Sequence, residues 1–393
     1  MLPNGWKKVK VGDVVKMSSG GTPSKDNASF WNGDIPWISA LEMHKNFVEE
    51  AKLNITEDAL KKGSSLAKKN DLLLLTRGSM LWKRIPVCLC LRDVAFNQDV
   101  KCLHANEKLN STFLLYWFGC MEPKIMHMVV GTGIGAGKLE SSGILDLDVN
   151  LPPLEEQKKI AATLSVWDSA IEKMEKLIEA KENSFNNLLK ELIYSPAKKE
   201  CWDIVKLGDV SEMSSGGTPK SSIEKYYNGD VLWVSIADMT EQGMYIKDTA
   251  KKLTKLGIEN SAAKIYPKGT VLYAMYASIG EVSIAEKEMA SSQAILGIQV
   301  SDKLVNKYLY YFLVGQKERI KLQGQAGTQS NLNAGMVKNL DIPVPSIKEQ
   351  NKIIAVLDNG MDELSLLKQQ LENYKKQKQG LMQKLLTGQW RVK

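Results

Sequence analysis

The 393-residue chain is poor in the residue types from which most catalytic and metal sites are built. It has only three histidines, His44, His104 and His127, and all of them lie in the first half of the chain. Its five cysteines include no CxxC pair, and Cys88 and Cys90 stand too close together for a zinc knuckle. We therefore expect reduced thiols and no metal site. The chain shows no signal peptide and no apolar run long enough to cross a bilayer, so we expect a cytoplasmic protein without a membrane partner.

Nucleotide-binding motifs are lacking as well. The segment GTGIGAGK looks like a phosphate-binding loop, but Thr132 stands where a P-loop has its first glycine. Leu139 stands where that loop needs serine or threonine, and Ala136 breaks the dinucleotide-binding pattern. The chain is therefore not expected to be a catalyst or to bind a cofactor.

Net charge is only weakly informative. The chain has 52 basic and 45 acidic residues, which gives a formal net charge of +7. Such a modest excess suits a nucleic-acid partner, and it also suits many proteins that bind none. Charge alone does not choose between these classes.

The dominant feature of the sequence is an internal repeat. Residues 6–24, WKKVKVGDVVKMSSGGTPS, and residues 202–220, WDIVKLGDVSEMSSGGTPK, are identical at 13 of 19 positions. The two copies are separated by 196 positions, and this separation holds as far as Trp37 and Trp233, which we expect in the core. It then changes at later matches. Such changes place insertions and deletions in surface loops. A repeat of half the chain indicates a duplicated domain, so we expect two related sites.

Each copy ends in a segment with the apolar spacing of a coiled coil. Pro153 suits a first helical turn, Ser346 and Glu349 predict a capping box, and Pro196 and Gly388 predict the helix ends. Apolar residues then recur at steps of four and three, with Lys181, Gly360 and Lys378 at interrupted positions. The predicted helix-pairing residues are Ile160, Leu164, Trp167, Ile171, Met174, Ile178, Leu188, Ile353, Leu357, Leu364, Leu367, Leu371 and Leu381.

These helices are long for a small domain. A helix over 155–193 would measure about 58 Å at about 1.5 Å per residue. The spacing therefore favours pairing of the two helices with each other, and packing of each helix on its own globular unit is the alternative.

The ordered set of motifs resembles the specificity subunits of type I restriction-modification systems. It comprises LPNGW with VGDV, the SSGGTP turn, NGDIPWIS and NGDVLWVS, and the helix entries PPLEEQ and PSIKEQ. The resemblance implies an α+β fold of two tandem α/β target recognition domains, each followed by a long helix. The two helices would pair as an antiparallel coiled coil with pseudo-twofold symmetry. The expected boundaries are 1–151 and 196–344 for the recognition domains and 152–195 and 345–393 for the spacer helices.

The resemblance also implies a function. Each domain would read one half of a split site in double-stranded DNA, and the helices would dock methyltransferase subunits, two of them by expectation. Those partners would methylate adenine with S-adenosylmethionine, and restriction subunits would cleave with ATP and Mg²⁺. The methyltransferase signature itself is missing, because Leu151 and Leu154 flank Pro152 and Pro153. A stand-alone DNA-modifying enzyme and a coiled-coil scaffold that binds no DNA are the alternatives.

The repeat sorts candidate DNA-binding residues into a shared and a divergent set. Adjacent glycines beside hydroxyls allow positive φ and exposed N–H groups that could hold a phosphate, and an ordinary turn at a strand end is the alternative. This shared set comprises Ser19, Gly20, Gly21 and Thr22 with Ser215, Gly216, Gly217 and Thr218. Gln98 and Gln293 also recur, and we expect them inside strands in a structural or backbone-contact role.

The divergent set must carry any difference between the half-sites. Arginine can bind guanine bidentately, whereas many basic side chains are simply solvated. Around Trp82 the candidates are Arg77, Lys83 and Arg84, and the second copy offers Tyr273 and Tyr276. The late loops add Lys138, Gln329 and Asn331.

Overall fold

The computed structural model describes residues 2–133, 135–195, 202–276, 278–325 and 332–392, and of 318–325 only the helical backbone. The predicted contacts Gln329 and Asn331, and the predicted helix end Pro196, lie outside these residues. The chain divides into two compact units, Met1–Glu175 with Gln370–Lys393, and Lys176–Gln369. Both divisions fall inside a long helix, so each unit contains one copy of the repeated domain and a segment of both helices.

The first half of the chain is rich in short strands that alternate with helices. The strands are β1 Lys7–Lys10, β2 Val15–Ser19, β3 Trp31–Ile38, β4 Phe47–Val48, β5 Asn54–Ile55, β6 Ser65–Ala67, β7 Leu72–Leu75, β8 Arg77–Gly78, β9 Val87–Cys90, β10 Val94–Phe96, β11 Val100–Ala105, β12 Val130–Gly131, β13 Gly137–Lys138 and β14 Asp148–Leu151. The helices are α1 Val11–Val14, α2 Glu57–Gly63, α3 Ser111–Met126, α4 Ser141–Leu145 and α5 Leu154–Leu189, which continues as a π-helical turn at Lys190–Tyr194.

The second half repeats most of this element order. Its strands are β15 Asp203–Lys206, β16 Ser211–Ser215, β17 Tyr227–Val234, β18 Tyr245–Ile246, β19 Lys251–Leu253, β20 Ile265–Tyr266, β21 Val271–Ala274, β22 Val282–Ala285, β23 Met289–Ser291, β24 Ile295–Val300 and β25 Asp341–Val344. Its helices are α6 Ile236–Gln242, α7 Lys255–Glu259, α8 Asn306–Gln325, α9 Ala334–Lys338 and α10 Ile347–Thr387.

Strand order is the same in the two domains. The five-stranded sheet runs β2-β11-β7-β9-β4 in the first domain and β16-β24-β21-β22-β18 in the second. The four-stranded sheet runs β5-β3-β10-β6 and β19-β17-β23-β20, and β1-β14 corresponds to β15-β25. Equivalent strands therefore hold equivalent places, as expected for a duplicated domain. The first domain also has a three-stranded sheet in the order β12-β13-β8.

The core of each domain is built on the central strand of the five-stranded sheet. All four residues of β7, the run LLLL, are fully buried, and so are all four of β21, VLYA. Unbroken apolar runs are typical of strands that are covered on both faces. Apolar residues of α3, including Phe113 and Phe118, complete the first core, and Tyr308 and Phe312 of α8 hold the same place in the second.

The two long helices pack against each other in the first unit. Asp168 forms an ion pair with Lys378 and Glu175 pairs with Lys375 at 3.0 Å, so the residue number rises on one helix as it falls on the other. The ring of Trp167 packs edge-on against Tyr374, with the centroids 5.9 Å apart. The segments are therefore antiparallel. The predicted helix-pairing residues on this side are buried or half-buried, namely Ile160, Leu164, Trp167, Ile171, Met174, Leu371 and Leu381.

The second unit contains the same antiparallel arrangement. Glu182 pairs with Lys368 at 2.6 Å, and three residues later Phe185 contacts Gly360, so the residue number again rises on one helix as it falls on the other. Lys181 also forms an ion pair, with Glu363 at 2.6 Å. Gly360, an interrupted position of the apolar series, lies under the ring of Phe185, since a Cβ there would be 2.9 Å from Cδ2. The remaining predicted helix-pairing residues are again buried or half-buried, namely Ile178, Leu188, Ile353, Leu357, Leu364 and Leu367.

The predicted helix signals agree with the described termini. The Ser346 N–H donates to Glu349 Oε2 at 3.1 Å and the Glu349 N–H to Ser346 Oγ at 3.3 Å, which is the predicted capping box. This bonding with Ser346 lowers the pKa of Glu349. Gly388, with φ of 78°, follows the last residue of α10 and adopts the left-handed conformation that ends many helices.

Candidate nucleic-acid interface

The shared SSGGTP turns lie where β2 and β16 end, and their glycines are tightly packed. A Cβ on Gly20 would lie 2.2 Å from the Phe96 carbonyl oxygen, and one on Gly216 would lie 2.2 Å from that of Ser291. None of the four glycines has a positive φ. Glycine is needed here because another segment of backbone occupies the space of a side chain.

The expected exposure of N–H groups at these turns is wrong. The Gly21 N–H donates to the Phe96 carbonyl and the Gly217 N–H to the Ser291 carbonyl, each at 2.9 Å. The indole N–H of Trp37 donates in turn to the Gly21 carbonyl at 3.0 Å, from a buried position. Trp233 makes the same contact with Gly217 at 2.9 Å. The alternative, a turn at a strand end, is what the structure shows, and both tryptophans belong to the core as expected.

The hydroxyls of the shared turns lie at or near the surface, and Ser19 Oγ accepts a bond from Lys101 Nζ at 2.6 Å. Ser19, Ser215 and Thr218 are exposed, and Thr22 is half-buried. Thr22 Oγ1 donates to Gln98 Oε1 at 2.6 Å. Gln98 and its counterpart Gln293 are exposed in the turns before β11 and β24, so the expectation that they lie inside strands is wrong. Their amides lie at the protein surface, and DNA contact by these turns stays a prediction.

The divergent set of the first domain is brought together by the sheet β12-β13-β8, which we call the ribbon. Arg77 of β8 is the register partner of Lys138 of β13, and both side chains are exposed. Lys138 Nζ forms an ion pair with Glu140 at 2.7 Å, and both residues are about half exposed. The ribbon therefore joins two residues that are 61 positions apart in the sequence.

Lys83 and Arg84, the other basic candidates around Trp82, have different environments. Lys83 is exposed, as a DNA contact requires. Arg84 is half-buried, and its guanidinium donates to the carbonyls of Met43 and His44. Two of its N–H groups are thus used within the domain, which gives Arg84 a structural role, and its contact with DNA stays a prediction.

The two tyrosines of the second domain also differ. Tyr273 is fully buried, because β21 is covered on both faces, and its burial raises the pKa of the hydroxyl. The prediction that Tyr273 contacts DNA is therefore wrong. Tyr276, after the end of the strand, is 38% exposed and remains a candidate.

A pair of buried glutamines was not singled out as functional from the sequence. The Gln157 side chain accepts the Asn110 N–H at 2.8 Å and donates to the carbonyls of Lys108 and Pro152, each at 2.9 Å. Gln350 accepts the Val305 N–H at 2.8 Å and donates to the carbonyls of Lys303 and Pro345, each at 2.9 Å. Each glutamine fixes the start of a long helix to the loop before α3 or α8. The recurring EQ dipeptide was the signal.

A second duplicated cluster could not be aligned from the sequence. The Tyr116 hydroxyl donates to Asp168 at 2.6 Å, and Lys378 pairs with the same carboxylate. The Tyr311 hydroxyl donates to Asp358 at 2.7 Å, and Lys307 pairs with that carboxylate at 2.6 Å. The two clusters share their chemistry, but the lysines come from α10 in one and from α8 in the other.

The described residues offer little to catalysis. No group of three or more His, Cys, Asp or Glu side chains among them is placed to hold a metal ion. Burial raises the pKa of both Cys88 and Cys102 to about 12, so these thiols are held in their unreactive protonated form. None of the helices described is both long and apolar enough to span a membrane.

Comparison with known proteins gives matches in both halves. The type I restriction enzyme MjaVIII specificity subunit of Methanocaldococcus jannaschii is 25% identical over 428 residues, covering 100% of this chain and 94% of that protein. The MjaIX specificity subunit of the same organism is 33% identical over 179 residues, covering 45% of this chain and 40% of that protein.

Solved structures share the fold. One chain, from work on complex assembly and conformational transition of the type I R-M system, has a TM-score of 0.65 at 20% identity, covering 99% of this chain and 100% of that chain. The crystal structure of a type I restriction-modification S subunit from M. genitalium has a TM-score of 0.56 at 18% identity, covering 98% of each chain. The family model described as type I restriction modification DNA specificity domain matches residues 3–182 and again residues 199–375. The chain therefore belongs to that family and carries its domain twice.

Proposed function

We propose that this chain is the DNA-reading specificity subunit of a type I restriction-modification complex. Each recognition domain reads one half of a bipartite site in double-stranded DNA, and the helix pair links the two readers. The observation that carries the proposal is the duplicated fold: strand order is the same in the two domains, whereas the exposed candidate residues differ. Two readers with one scaffold and different surfaces suit a target with two different halves.

Catalysis belongs to partner subunits in this proposal. Two methyltransferase subunits dock on the helices, bind S-adenosylmethionine and methylate an adenine that is flipped out of the duplex. Restriction subunits with ATP and Mg²⁺ join where the system cleaves DNA, and the complex acts in the cytoplasm. The relatives named above are specificity subunits and not methyltransferases, which supports a noncatalytic role.

Methylome sequencing tests the proposal directly. A host that carries this gene with its methyltransferase is compared with the same host after deletion of this gene alone. We expect adenine methylation at one bipartite motif that disappears on deletion. Methylation that persists would contradict the proposal and favour the scaffold, and methyl transfer by the purified chain alone would favour a stand-alone enzyme. Exchange of residues 40–130 for another recognition domain should change one half of the motif only.

The helix pair is tested by a matched pair of substitutions. Leu364 is 6% exposed on the packed side of α10, whereas Leu366, two residues on, is 66% exposed. Leu364→Asp, combined with Ile171→Asp, should abolish methyltransferase assembly or alter the spacing of the half-sites, because each substitution places a carboxylate at a buried or half-buried position of a long helix. Leu366→Asp is the control for a charge on the same helix. Unchanged assembly and unchanged spacing in the first variant would contradict the role of the helix pair.

A further inference from the structure

Trp82 is a large apolar side chain that the first domain holds at its surface. Its ring is 49% exposed, at the end of a 3₁₀ turn formed by Ser79–Trp82. The indole N–H donates to the Gly135 carbonyl in the ribbon hairpin at 3.0 Å. Since this bond uses the only polar atom of the side chain, the exposed part of the ring can offer only apolar contact and stacking.

Contacts among its described residues hold both sides of the hairpin that contacts Trp82. Thr132 donates to the Ala136 carbonyl through both its N–H and its hydroxyl, each at 2.9 Å. Gly137 is packed against Leu81, since a Cβ there would lie 3.0 Å from that side chain. A binding surface that is already ordered loses less conformational entropy when its ligand arrives.

Exposed cationic side chains lie on the same 3₁₀ turn and ribbon as Trp82. Arg77 and Lys83 are exposed, and neither has an ion pair or a side-chain hydrogen bond among the described residues. The ion pair of Lys138 with Glu140 is exposed, and such pairs contribute little, about 0 to 1 kcal/mol. Lys138 can therefore exchange Glu140 for a phosphate at small cost. An aromatic ring held in a segment with exposed cations suits a polyanion whose bases can be reached from a groove.

We propose that Trp82 is a specificity-determining residue of the first domain, which places the indole against the bases of one half-site while exposed cations of the same segment bind phosphates. The proposal rests on the proposed function, because duplex DNA is the occupant. The ribbon enters the groove, and the ring selects bases by shape and apolar contact such as that with a thymine methyl group. In the described part of the corresponding segment of the second domain, which includes Tyr276, Ser278 and Ile279, there is no tryptophan. The second half-site is therefore read by other side chains.

Trp82→Ala in the complete complex with methyltransferase tests this inference. The affinity for the methylated motif, relative to an unrelated duplex, should fall roughly tenfold, the effect expected for an aromatic contact with a base. The methylome should become degenerate at one or more positions of one half-site, while the other half stays unchanged. Trp390→Ala is the matched control, since Trp390 is 53% exposed in the C-terminal segment, and it should leave affinity and motif unchanged.

Trp82→Phe separates base contact from support of the hairpin. Phenylalanine keeps an apolar ring and loses the bond to Gly135, so we expect most of the specificity to be retained. A full motif and an unchanged affinity ratio in Trp82→Ala would overturn the inference, and so would a Trp82→Phe variant as weak as Trp82→Ala. If the wild-type complex has no bipartite motif, the proposed function itself fails, which is a different result from a motif that is insensitive to Trp82.

Discussion

In each unit, a carboxylate on a long helix accepts a bond from a tyrosine hydroxyl and pairs with a lysine, but the lysines of the two units come from different elements. In the first unit, Asp168 lies between the Tyr116 hydroxyl and Lys378, which comes from the last helix of the chain. In the second, Asp358 lies between the Tyr311 hydroxyl and Lys307, which comes from the recognition domain. The contact between a recognition domain and the long helices is thus kept, although the lysine changes its place in the sequence. By contrast, the glycines of the SSGGTP turns are the same in both copies, where backbone packing leaves room for glycine alone.

The largest expected effect concerns these turns. A Cβ at Gly216 would lie 2.2 Å from the Ser291 carbonyl oxygen, so Gly216→Ala must displace backbone and should destabilise the second domain by more than about 3 kcal/mol. Gly20→Ala should do the same in the first domain. Gly380→Ala is the control, because nothing lies within 4 Å of its Cβ position. Urea unfolding followed by tryptophan fluorescence measures the loss, and equal stability of Gly216→Ala and Gly380→Ala would show that the turns are not tightly packed.

The second effect compares the duplicated glutamines. Gln157→Leu and Gln350→Leu each leave one N–H and two carbonyls without their partner, which should reduce the free energy of unfolding by about 3 kcal/mol in each case. Gln370→Leu is the control, since Gln370 is exposed on α10. The same unfolding measurement applies. A loss of stability in only one of the two variants would show that the two glutamines do not contribute equally to the helix starts.

Much of this arrangement was predictable from the sequence because it depends on local patterns. The repeat predicted two domains, and heptad spacing predicted which helix residues are buried or half-buried. Gly360 and Lys378, at the interrupted positions, are half-buried as well. Contacts that depend on tertiary structure were not predictable. Arg77 and Lys138 meet only because β8 and β13 pair.

The errors have physical causes as well. Tyr273 stood in a divergent segment and was assigned to the surface, but β21 is the central strand of a sheet that is covered on both faces. Adjacent glycines suggested a phosphate-binding turn, whereas they serve close approach of backbone segments. In both cases the sequence showed a residue type that fits two roles, and only the packing partners decide between them.

A third effect concerns pH and Glu156 and Glu349, which hold corresponding positions in the two copies. Arg391 donates to Glu156 at 3.0 and 2.7 Å and holds the pKa of this carboxyl below its ordinary value of 4.5, with help from the indole of Trp6 at 3.2 Å. A carboxyl whose pKa is lowered on folding stabilises the protein above that ordinary value, and the stabilisation is lost as the pH falls through the lower folded pKa.

Glu156→Gln should therefore be less stable at neutral pH and lose less stability on acidification. Glu349→Gln is the comparison, because a glutamine oxygen can still accept the bonds from Ser346 of the capping box. The free energy of unfolding of each variant, measured from neutral pH to about pH 3, gives its dependence on pH. An acid slope of Glu156→Gln identical to that of the wild type would show that the ion pair with Arg391 does not contribute.

The smallest expected effect tests the difference between two tyrosines of the second domain. The Tyr273 hydroxyl is buried and has no hydrogen-bond partner among the described residues, so its burial carries a cost without a compensating bond. Tyr273→Phe should leave the methylated motif unchanged and alter stability by no more than about 1 kcal/mol, in the direction of greater stability. Tyr276→Ala is the comparison, because that side chain is 38% exposed beyond the strand end, where a contact with the second half-site is sterically open. Methylome sequencing and urea unfolding of both variants decide the matter. A changed motif in Tyr273→Phe would mean that the core of the second domain, and not its surface alone, determines which bases it reads.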